Sequence, residues 1–411
     1  MQIYMVGGAV RDMLRGMEAQ DRDFVVVGAT PEQMLSLGFE RVGKDFPVFL
    51  HPKTKEEYAL ARKEIKTGDK HTDFEFIFDA DVTLEEDVER RDFTCNALVY
   101  NPETDEVIDF VGGKQDIANK IIRHINAEHF VEDPLRVLRM CRFAAQLDFS
   151  IAPETMELAQ KMVGEGMLQH LTKERVWQEF YKALCTSHFS KFILAMRDCG
   201  ALKVILPEVD KLWQMPEILE YHPEGNSGAH TILTLEKGAD LPPLAKYALL
   251  LHDIGKTITK PDILPHHYMH DINGISLVQK IGKRLKVPKA FTHAAYTAAL
   301  YHMRFFRVPD MRLGKLRDFV ADVTDNFRNE NLLNLLFEVC RCDMCGRALE
   351  PNAEEQARYK KAVELCRQVF VILSPLKATD IPNFDKLPKD ATFAAKWREY
   401  QIEQLQKNKN F

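Results

Sequence analysis

The chain has 411 residues, which is too long for one typical domain core and predicts two to four compact units. Its composition, 45% hydrophobic and 28% charged, is that of a globular protein and excludes a largely disordered chain. The formal net charge of -6 excludes a uniformly basic surface for sequence-independent nucleic-acid binding. Any nucleic-acid site must therefore be local, built from basic clusters such as Arg90-Arg91 or Lys280–Lys289.

No targeting or membrane segment is apparent. The first residues run directly into a strand-like apolar stretch, without the basic segment, long apolar run and cleavage site of an export signal. No window approaches the roughly 18 consecutive apolar residues of a membrane span. Eight cysteines without a small secreted framework suggest reduced thiols. We therefore expect a cytoplasmic protein that does not associate with membranes.

The pattern of apolar residues changes along the chain. Residues 1–110 alternate short β-branched runs with helical patterns and Gly or Pro punctuation, which predicts an α/β unit. From about Asp133 onward the apolar spacing is helical. The turn formers of 221–228 are the clearest break. We therefore predict an α+β protein with four parts: 1–140, a mixed-sheet head; 141–220, a helical body; 221–350, a second helical domain; and 351–411, a helical tail.

Two N-terminal motifs suggest a nucleotide site that uses a metal. Gly7-Gly8 lies between a strand and a helix, where glycines let backbone N–H groups approach a triphosphate, and Arg11 adds a charged fork. Asp21 and Asp23 enter the next strand, and the period of two places both carboxylates on one face. Two hard oxygen ligands suit Mg²⁺, which substrate phosphates then complete. A solvated strand end is the alternative interpretation.

Further motifs identify a family. Arg-Arg-Asp-Phe-Thr-Cys-Asn-Ala at 90–97, Asp-Phe-Val-Gly-Gly at 109–113 and Glu-Asp-Pro-Leu-Arg at 132–136 follow in order. With the two earlier motifs, they make the first 150 residues resemble the bacterial and eukaryotic class of tRNA nucleotidyltransferases, which belong to the DNA polymerase beta superfamily.

The resemblance implies a role for each matching residue. Asp21 and Asp23 would be catalytic and hold Mg²⁺. Asp133 and Arg136 would read the Watson–Crick edge of the incoming base, the carboxylate accepting from an amine and the guanidinium donating to ring nitrogens or carbonyls. A helix would place Asp133 and Arg136 on one face. The residues expected to contact the nucleotide are Gly8, Arg11, Arg91, Asp133, Arg136, Arg139 and Arg142.

A third carboxylate is suggested in the strand-like run Glu57–Arg62. Glu57 could activate the hydroxyl that attacks the nucleotide, but Glu56 is adjacent and the sequence offers no way to choose between them. Edge-strand glutamates are also commonly only solvated.

Histidines are concentrated in the middle of the chain: eight of the fourteen lie between His222 and His302. His252-Asp253 ends an apolar helical run, in a context that resembles an HD phosphohydrolase domain. That resemblance implies a divalent-metal site made of His230, His252, Asp253 and Asp343. Mixed nitrogen and oxygen ligands fit Ni²⁺, Mn²⁺, Co²⁺ or Mg²⁺ better than a thiolate zinc site.

More histidines could extend this metal site: His266, His267 and His270 follow the doublet. No second His-Asp pair is visible around His302, however, so we do not expect a binuclear site.

Together these features predict an enzyme that adds C, C and A to the 3′ end of tRNA from CTP and ATP without a nucleic-acid template. The HD segment would add 2′,3′-cyclic phosphodiesterase, 2′-nucleotidase and phosphatase activities for repair of tRNA 3′ ends. Alternatives are a poly(A) polymerase-like enzyme, a predominantly HD phosphohydrolase and a non-catalytic RNA-binding protein. Partial addition of only C or only A stays open, as does the choice between monomer and homodimer.

Overall fold

The computed structural model describes residues 1–19, 22–42, 48–66, 74–77, 81–382, 384 and 391–408. The chain forms two compact units: Met1–Ala183 with Lys191–Val204, and Leu184–Ser190 with Ile205–Phe411. All strands among the described residues belong to the first unit. The predicted break near 221–228 is a turn region inside the second unit, and the four-part division stays a prediction.

A seven-stranded mixed sheet organises the first unit, with the strand order β3-β4-β5-β2-β1-β8-β9. Only the β2–β5 pair in this sheet is parallel among the described residues. The remaining strands form two small two-stranded sheets, β6-β7 and β10-β11. The strands are β1 Gln2–Val6, β2 Asp23–Val27, β3 Glu40–Val42, β4 Val48–Leu50, β5 Glu57–Leu60, β6 Lys63–Lys66, β7 Phe74–Ile77, β8 Val99–Asn101, β9 Glu106–Ile108, β10 Ile121–Ile122 and β11 Ser150–Ile151.

Both faces of the large sheet are covered. Successive side chains of a strand point to opposite faces. Tyr4 and Val6 therefore pack in one cluster with Val25, whereas Met5 packs in another with Val10. This burial on both faces explains why β1 and β2 read as continuous apolar runs rather than as alternating ones.

Helices surround this sheet and form the rest of the first unit. Those of the first unit and its border are α1 Gly8–Leu14, α2 Pro31–Ser36, α3 Leu84–Glu89, α4 Gly113–Asn119, α5 Ala127–Glu132, α6 Leu135–Leu147, α7 Pro153–Gly164, α8 Lys173–Leu184, α9 Phe189–Asp198 and α10 Ala201–Ile205. Sheet and helices together confirm the predicted α+β class.

The second unit is built mainly from helices, with no named strand among its described residues. Its helices are α11 Pro207–Asp210, α12 Ser227–Lys237, α13 Pro243–Leu251, α14 His270–Arg284, α15 Lys289–Phe305, α16 Leu313–Val323, α17 Glu330–Cys345, α18 Ala353–Leu373 and α19 Ala391–Lys407. No helix in the described part of the chain has both the length and the apolar character needed to cross a membrane.

Helix α15 is central in this unit and packs against α13, α14 and α17. Its buried face carries four alanines, whose small side chains allow neighbouring helices to approach closely: Ala294, Ala295, Ala298 and Ala299. Between α13 and α14, the chain makes a short helical turn at Ile254–Ile258. Asp253 precedes this turn, and its Oδ1 lies 3.3 Å from Nε2 of His270 at the start of α14.

Gly255 allows that close approach. A Cβ atom there would lie 2.0 Å from the His270 carbonyl oxygen and 2.5 Å from the Gly274 nitrogen. Both are backbone atoms, so the chain itself would have to move.

We expect Gly255→Ala to lower the free energy of unfolding by about 1–3 kcal/mol or more, as overpacking does. Urea denaturation followed by circular dichroism measures this loss. Gly164→Ala is the matched control, because a Cβ at Gly164 in α7 meets nothing within 4 Å. Alanine favours helix, so the control should be neutral or slightly stabilised. Equal stability of both variants would contradict the expectation.

Candidate active site and candidate metal centre

Two strands bring a pair of carboxylates together in the first unit. In the parallel β2–β5 pair, Asp23 lies opposite Glu57 in register. Side chains at paired positions project from the same face of a sheet. Glu57 rather than Glu56 is thus the neighbour of Asp23, a choice that the sequence left open. Asp21, the other predicted metal ligand, lies outside the described residues.

The Gly-Gly turn follows β1 directly. Gly7 has a φ of 74°, a left-handed conformation that favours glycine, and Gly8 begins α1. One turn further along α1, Arg11 is buried, and its Nη1 donates to the Asn96 side-chain oxygen at 2.6 Å. Its Nε donates to Asp12 at 2.9 Å. The turn and Asn96, which come from two distant motifs, therefore meet through Arg11.

A buried aspartate orients the arginine doublet. Asp87 of α3 accepts from Arg91 at 3.0 Å and also pairs with Arg90. Burial raises the pKa of Asp87, but the two guanidinium groups outweigh burial and hold the pKa below its ordinary value. The Nε of Arg91 is buried without a hydrogen-bond partner among the described residues. Asp87 is thus a positioning residue for the arginine doublet, and the sequence analysis did not single it out.

Helix α6 presents two further arginines. Arg139 donates to Asp92 at 2.7 Å, and Arg142 donates to Glu179 at 2.5 Å. Burial raises the pKa of Asp92, but Arg139 outweighs burial and keeps the carboxyl ionised. The ring of Phe143 lies 3.9 Å below the guanidinium of Arg142, a cation–π contact. Buried partners therefore hold both arginines in place.

The expected helical placement of Asp133 is wrong. Asp133 lies between α5 and α6 in an extended conformation, and its Oδ1 accepts from the Leu135 backbone nitrogen at 3.1 Å. The following Pro134 disfavours helical geometry at the residue before it, which explains the break. Oδ2 of Asp133 accepts from Arg175 of α8 at 2.7 Å. Arg175 was not recognised in the sequence, where it is one cation on an amphipathic helix.

Arg136 is held by backbone atoms. Its Nη1 donates to the His129 carbonyl at 2.7 Å, and its Nη2 donates to the Arg90 carbonyl at 2.8 Å. These bonds tie the first turn of α6 to α5 and to the arginine doublet.

All the described residues of the predicted nucleotide site line one cleft of about 890 Å³, together with Asp23 and Glu57. Nine cationic and five anionic side chains line it, so its charge complements a polyanion such as a triphosphate.

The second unit brings its predicted ligands together as well. His230 of α12 lies with its Nε2 3.0 Å from Asp343 of α17, and His252 lies at the end of α13 with its Nε2 3.9 Å from the same carboxylate oxygen. These three groups are close enough to share one cation. Asn226 helps to place His230, because its side chain caps α12 by accepting from the Ala229 nitrogen.

The orientation of His252 suits a metal ligand. Its Nδ1 donates to the Leu249 carbonyl at 2.7 Å, so the ring directs Nε2 toward Asp253 and Asp343. That Nε2 is fully buried and has no hydrogen-bond partner among the described residues. A buried unpartnered nitrogen is costly unless it coordinates something. The donor set therefore fits a divalent cation.

His230 is surrounded by negative charge. Its Nδ1 lies 2.9 Å from Glu224, a residue that the sequence did not single out. Burial lowers the pKa of His230, but the carboxylates of Asp343 and Glu224 outweigh burial and raise the pKa to about 9. The position thus stabilises positive charge, as a cation site must.

Asp253 faces a second group of histidines. His270 and His302, which belong to α14 and α15, lie with their Nε2 atoms 3.3 and 3.4 Å from its Oδ1. The sequence suggested His270 as an extension of the site and gave no role to His302. His266 and His267 line a cavity of about 490 Å³ that opens beside these residues.

Two family models match parts of this chain. A model described as the poly A polymerase head domain matches residues 3–123. A second model, described as a probable RNA and SrmB-binding site of polymerase A, matches residues 148–212.

Relatives match over much longer stretches. The multifunctional CCA protein of Acinetobacter baumannii (strain AYE) is 42% identical over 416 residues, covering 100% of this chain and 98% of the relative. That of Neisseria gonorrhoeae (strain NCCP11945) is 48% identical over 349 residues, 84% of each chain. The chain belongs to the multifunctional CCA protein family.

Membership of the multifunctional CCA protein family confirms the predicted family and the prediction of a CCA-adding nucleotidyltransferase. It favours this activity over the poly(A) polymerase alternative, because the match extends through the helical half of the chain. A nucleotidyltransferase of this kind depends on a divalent metal.

Solved structures share the fold. The Bacillus stearothermophilus CCA-adding enzyme in complex with CTP superimposes with a TM-score of 0.66 at 20% identity, covering 99% of this chain and 93% of that chain. The Thermotoga maritima CCA-adding enzyme complexed with tRNA gives 0.62 at 18% identity, covering 99% and 87%.

Proposed function

We propose that the cleft of the first unit adds C, C and A to the 3′ end of tRNA, using CTP and ATP and releasing pyrophosphate. The observation that carries this proposal is the pairing of Asp23 with Glu57 at the edge of a cationic cleft. The relatives' name and the CTP and tRNA complexes of the structural neighbours support it. A tRNA substrate is consistent with a cytoplasmic location.

The reaction forms a bond between the tRNA 3′-oxygen and the α-phosphorus and breaks the bond to the departing pyrophosphate. Asp21 and Asp23 would hold Mg²⁺, which supplies positive charge at the attacking and leaving oxygens when bound. Glu57 accepts the proton of the attacking hydroxyl. Arg91, Arg139 and Arg142, with Arg11 and Gly8, surround the triphosphate and compensate its charge.

Base selection falls to Asp133 and Arg136. Both side chains keep unused capacity, because a carboxylate offers about four acceptor sites and a guanidinium five donors. Their bonds to Leu135, Arg175 and backbone carbonyls orient them before a base arrives. A base edge can therefore be read by groups that lose little entropy on binding.

We expect Asp133→Ala to impair the choice among nucleotides more than triphosphate binding. Removing one member of a base-reading pair costs about 1–3 kcal/mol of discrimination, roughly 10- to 100-fold. Single-turnover incorporation of CTP, ATP, UTP and GTP measures it. If the variant still rejects UTP and GTP as well as the parent does, Asp133 has another role.

Glu57→Gln should reduce addition by about 100-fold or more, because it removes a proton acceptor of the kind worth about 10²–10⁴ in rate. Glu56→Gln is the matched control, because Glu56 accepts from Thr54 at 2.7 Å and does not line the cleft. Rate constants for CTP incorporation are measured for both variants. Equal rates in both variants would show that Glu57 is not the proton acceptor.

For the second unit, we propose metal-dependent hydrolysis of phosphate esters, with 2′,3′-cyclic and 2′-phosphorylated RNA ends as substrates. His230, His252, Asp253 and Asp343 would hold Ni²⁺, Mn²⁺ or Mg²⁺, which when bound lowers the pKa of a coordinated water. The unpartnered Nε2 of His252 supports this assignment. The adjoining cavity offers space for a ribose phosphate.

Under this proposal, different parts of the chain carry different activities. Residues 1–140 transfer nucleotides, 141–220 contact tRNA, 221–350 hydrolyse damaged ends and 351–411 form a helical tail. The decisive assay supplies tRNA ending at the discriminator base with each nucleotide singly and together, and sizes the products on a gel. Three added residues with CTP and ATP together support the proposal, and a long homopolymer of A would contradict it.

A further inference from the structure

The basic cluster Lys280–Lys289 of the second unit takes no part in either activity described so far. Half of its ten residues are Lys or Arg, and the longer stretch 272–309 contains no Asp or Glu, although the chain carries 61 acidic residues in 411. We propose that this cluster, at the end of α14 and the start of α15, binds the phosphate backbone of tRNA. The inference rests on the proposed function, which makes tRNA the substrate, and adds a second place where the chain holds it.

The lysines of the cluster lie on the surface. The exposed ones are Lys280, Lys283, Lys286 and Lys289. Arg284 differs, because its guanidinium pairs with Glu208 at 2.6 Å. In the described part of the chain, no ion pair involves Lys283 or Lys289. Both ammonium groups are therefore available to an anion from outside the protein.

Lys283 and Lys289 line one groove of about 460 Å³ between the two helices. Its neutral polar lining residues are Gln279, Thr292 and Tyr296. Side chains of these three types donate to phosphate oxygens in nucleic-acid complexes, and lysines neutralise the phosphate charge. The groove thus offers both kinds of contact that a phosphate backbone takes.

The helices themselves do not account for all of this charge. Lys283 lies in the last turn of α14, where a cation complements the helix dipole. Lys289 begins α15, where a positive charge opposes the dipole of that helix. Since Lys289 makes no ion pair among the described residues either, its position has no local stabilising effect that would explain it.

An anionic membrane is the other large polyanion, and this surface suits it poorly. A helix that lies on a membrane inserts an apolar face beside its cations. Among the described residues of α14 and α15, the exposed large apolar side chains are those of Ile272 and Met303. Both lie at the opposite ends of these helices from the groove, so RNA is the better match.

The same two helices lead from the groove to the candidate hydrolytic site. His270 at the start of α14 and His302 near the end of α15 have their Nε2 atoms 3.2 Å apart. The rise of about 1.5 Å per residue puts Lys283 about 20 Å from His270 along α14. A nucleic-acid strand covers that length with about six phosphates at about 3.4 Å each. An RNA whose 3′ end enters the cavity can therefore place its backbone on the lysines.

The test measures tRNA binding by the full chain. Fluorescence anisotropy of labelled tRNA that lacks its 3′ end gives the affinity at a series of KCl concentrations. We expect Lys283→Gln combined with Lys289→Gln to weaken binding and to reduce the slope of log K against log salt by about 2, because each lost phosphate contact removes about one released counterion.

A matched control makes the same change of charge elsewhere in the second unit. Lys237→Gln combined with Lys361→Gln alters two exposed lysines of α12 and α18, and Lys237 already pairs with Glu350 at 3.7 Å. This variant should keep the parental slope. Equal losses of slope in the two double variants would contradict a specific role for the groove.

Footprinting of the unaltered chain locates the contact without any substitution. Acetylation of lysines, read by mass spectrometry, should be slowed by tRNA at Lys283 and Lys289 and unchanged at Lys237 and Lys361. Equal acetylation of Lys283 and Lys289 with and without tRNA would overturn this surface, and addition of C, C and A by the same preparation would leave the proposed function standing. Slowing by phosphatidylglycerol vesicles but not by tRNA would show a membrane surface instead. No tRNA binding and no addition would overturn both proposals.

Discussion

Replacing Asp23 or Asp21 by alanine should abolish nucleotide addition while hydrolysis by the second unit persists. Each substitution would remove a proposed hard oxygen ligand from a metal whose neutralising effect would be worth several kcal/mol in the transition state. A loss of about 4 kcal/mol corresponds to roughly 1000-fold in rate. Incorporation of labelled CTP into tRNA that lacks its 3′ end measures the loss.

The control for this pair is Glu40→Ala. Glu40 lies in β3 of the same sheet, but its carboxylate is exposed and pairs only with Lys55 among the described residues. Exposed pairs contribute little, so this variant should add nucleotides at nearly the parental rate. Near-parental addition by Asp23→Ala would show that Asp23 of β2 does not hold the catalytic metal.

His252→Ala or Asp253→Ala should eliminate metal-dependent hydrolysis of 2′,3′-cyclic and 2′-phosphorylated nucleotides. His252 supplies the only buried imidazole nitrogen in the described residues that lacks a hydrogen-bond partner, and Asp253 lies 3.4 Å from His252 and 3.3 Å from His270. Loss of a ligand typically removes the metal together with its activated water. Hydrolysis is measured with Ni²⁺, Mn²⁺ and Mg²⁺ added in turn, and chelation of the parent should reproduce the loss.

Nucleotide addition should survive in both variants, because its carboxylates belong to the other unit. Unchanged hydrolysis would show that the doublet is structural. Simultaneous loss of both activities would instead indicate misfolding, which circular dichroism detects. His293→Ala serves as the control histidine and should retain both activities.

Local patterns in the sequence were enough to predict several secondary-structure elements and the family. Continuous apolar runs predicted β1 and β2, and helical spacing predicted α6 and the helical remainder, because these signals depend on neighbours within a few residues. The ordered motifs of the first 150 residues identified the family, since each motif is contiguous. The His252-Asp253 doublet likewise predicted a metal site in the second unit, and this site stays a prediction.

Other features depended on residues that are distant in the chain. Only the parallel register of β2 and β5 distinguishes Glu57 from Glu56, because strand pairing decides which side chain stands beside Asp23. Arg175 meets Asp133 across 42 residues, and His302 meets Asp253 across a similar separation. The sequence by itself determined the family and which residues of each motif are candidates for its chemistry. The tertiary structure alone decided which further residues join them, because helix packing and strand register bring together positions that no local pattern connects.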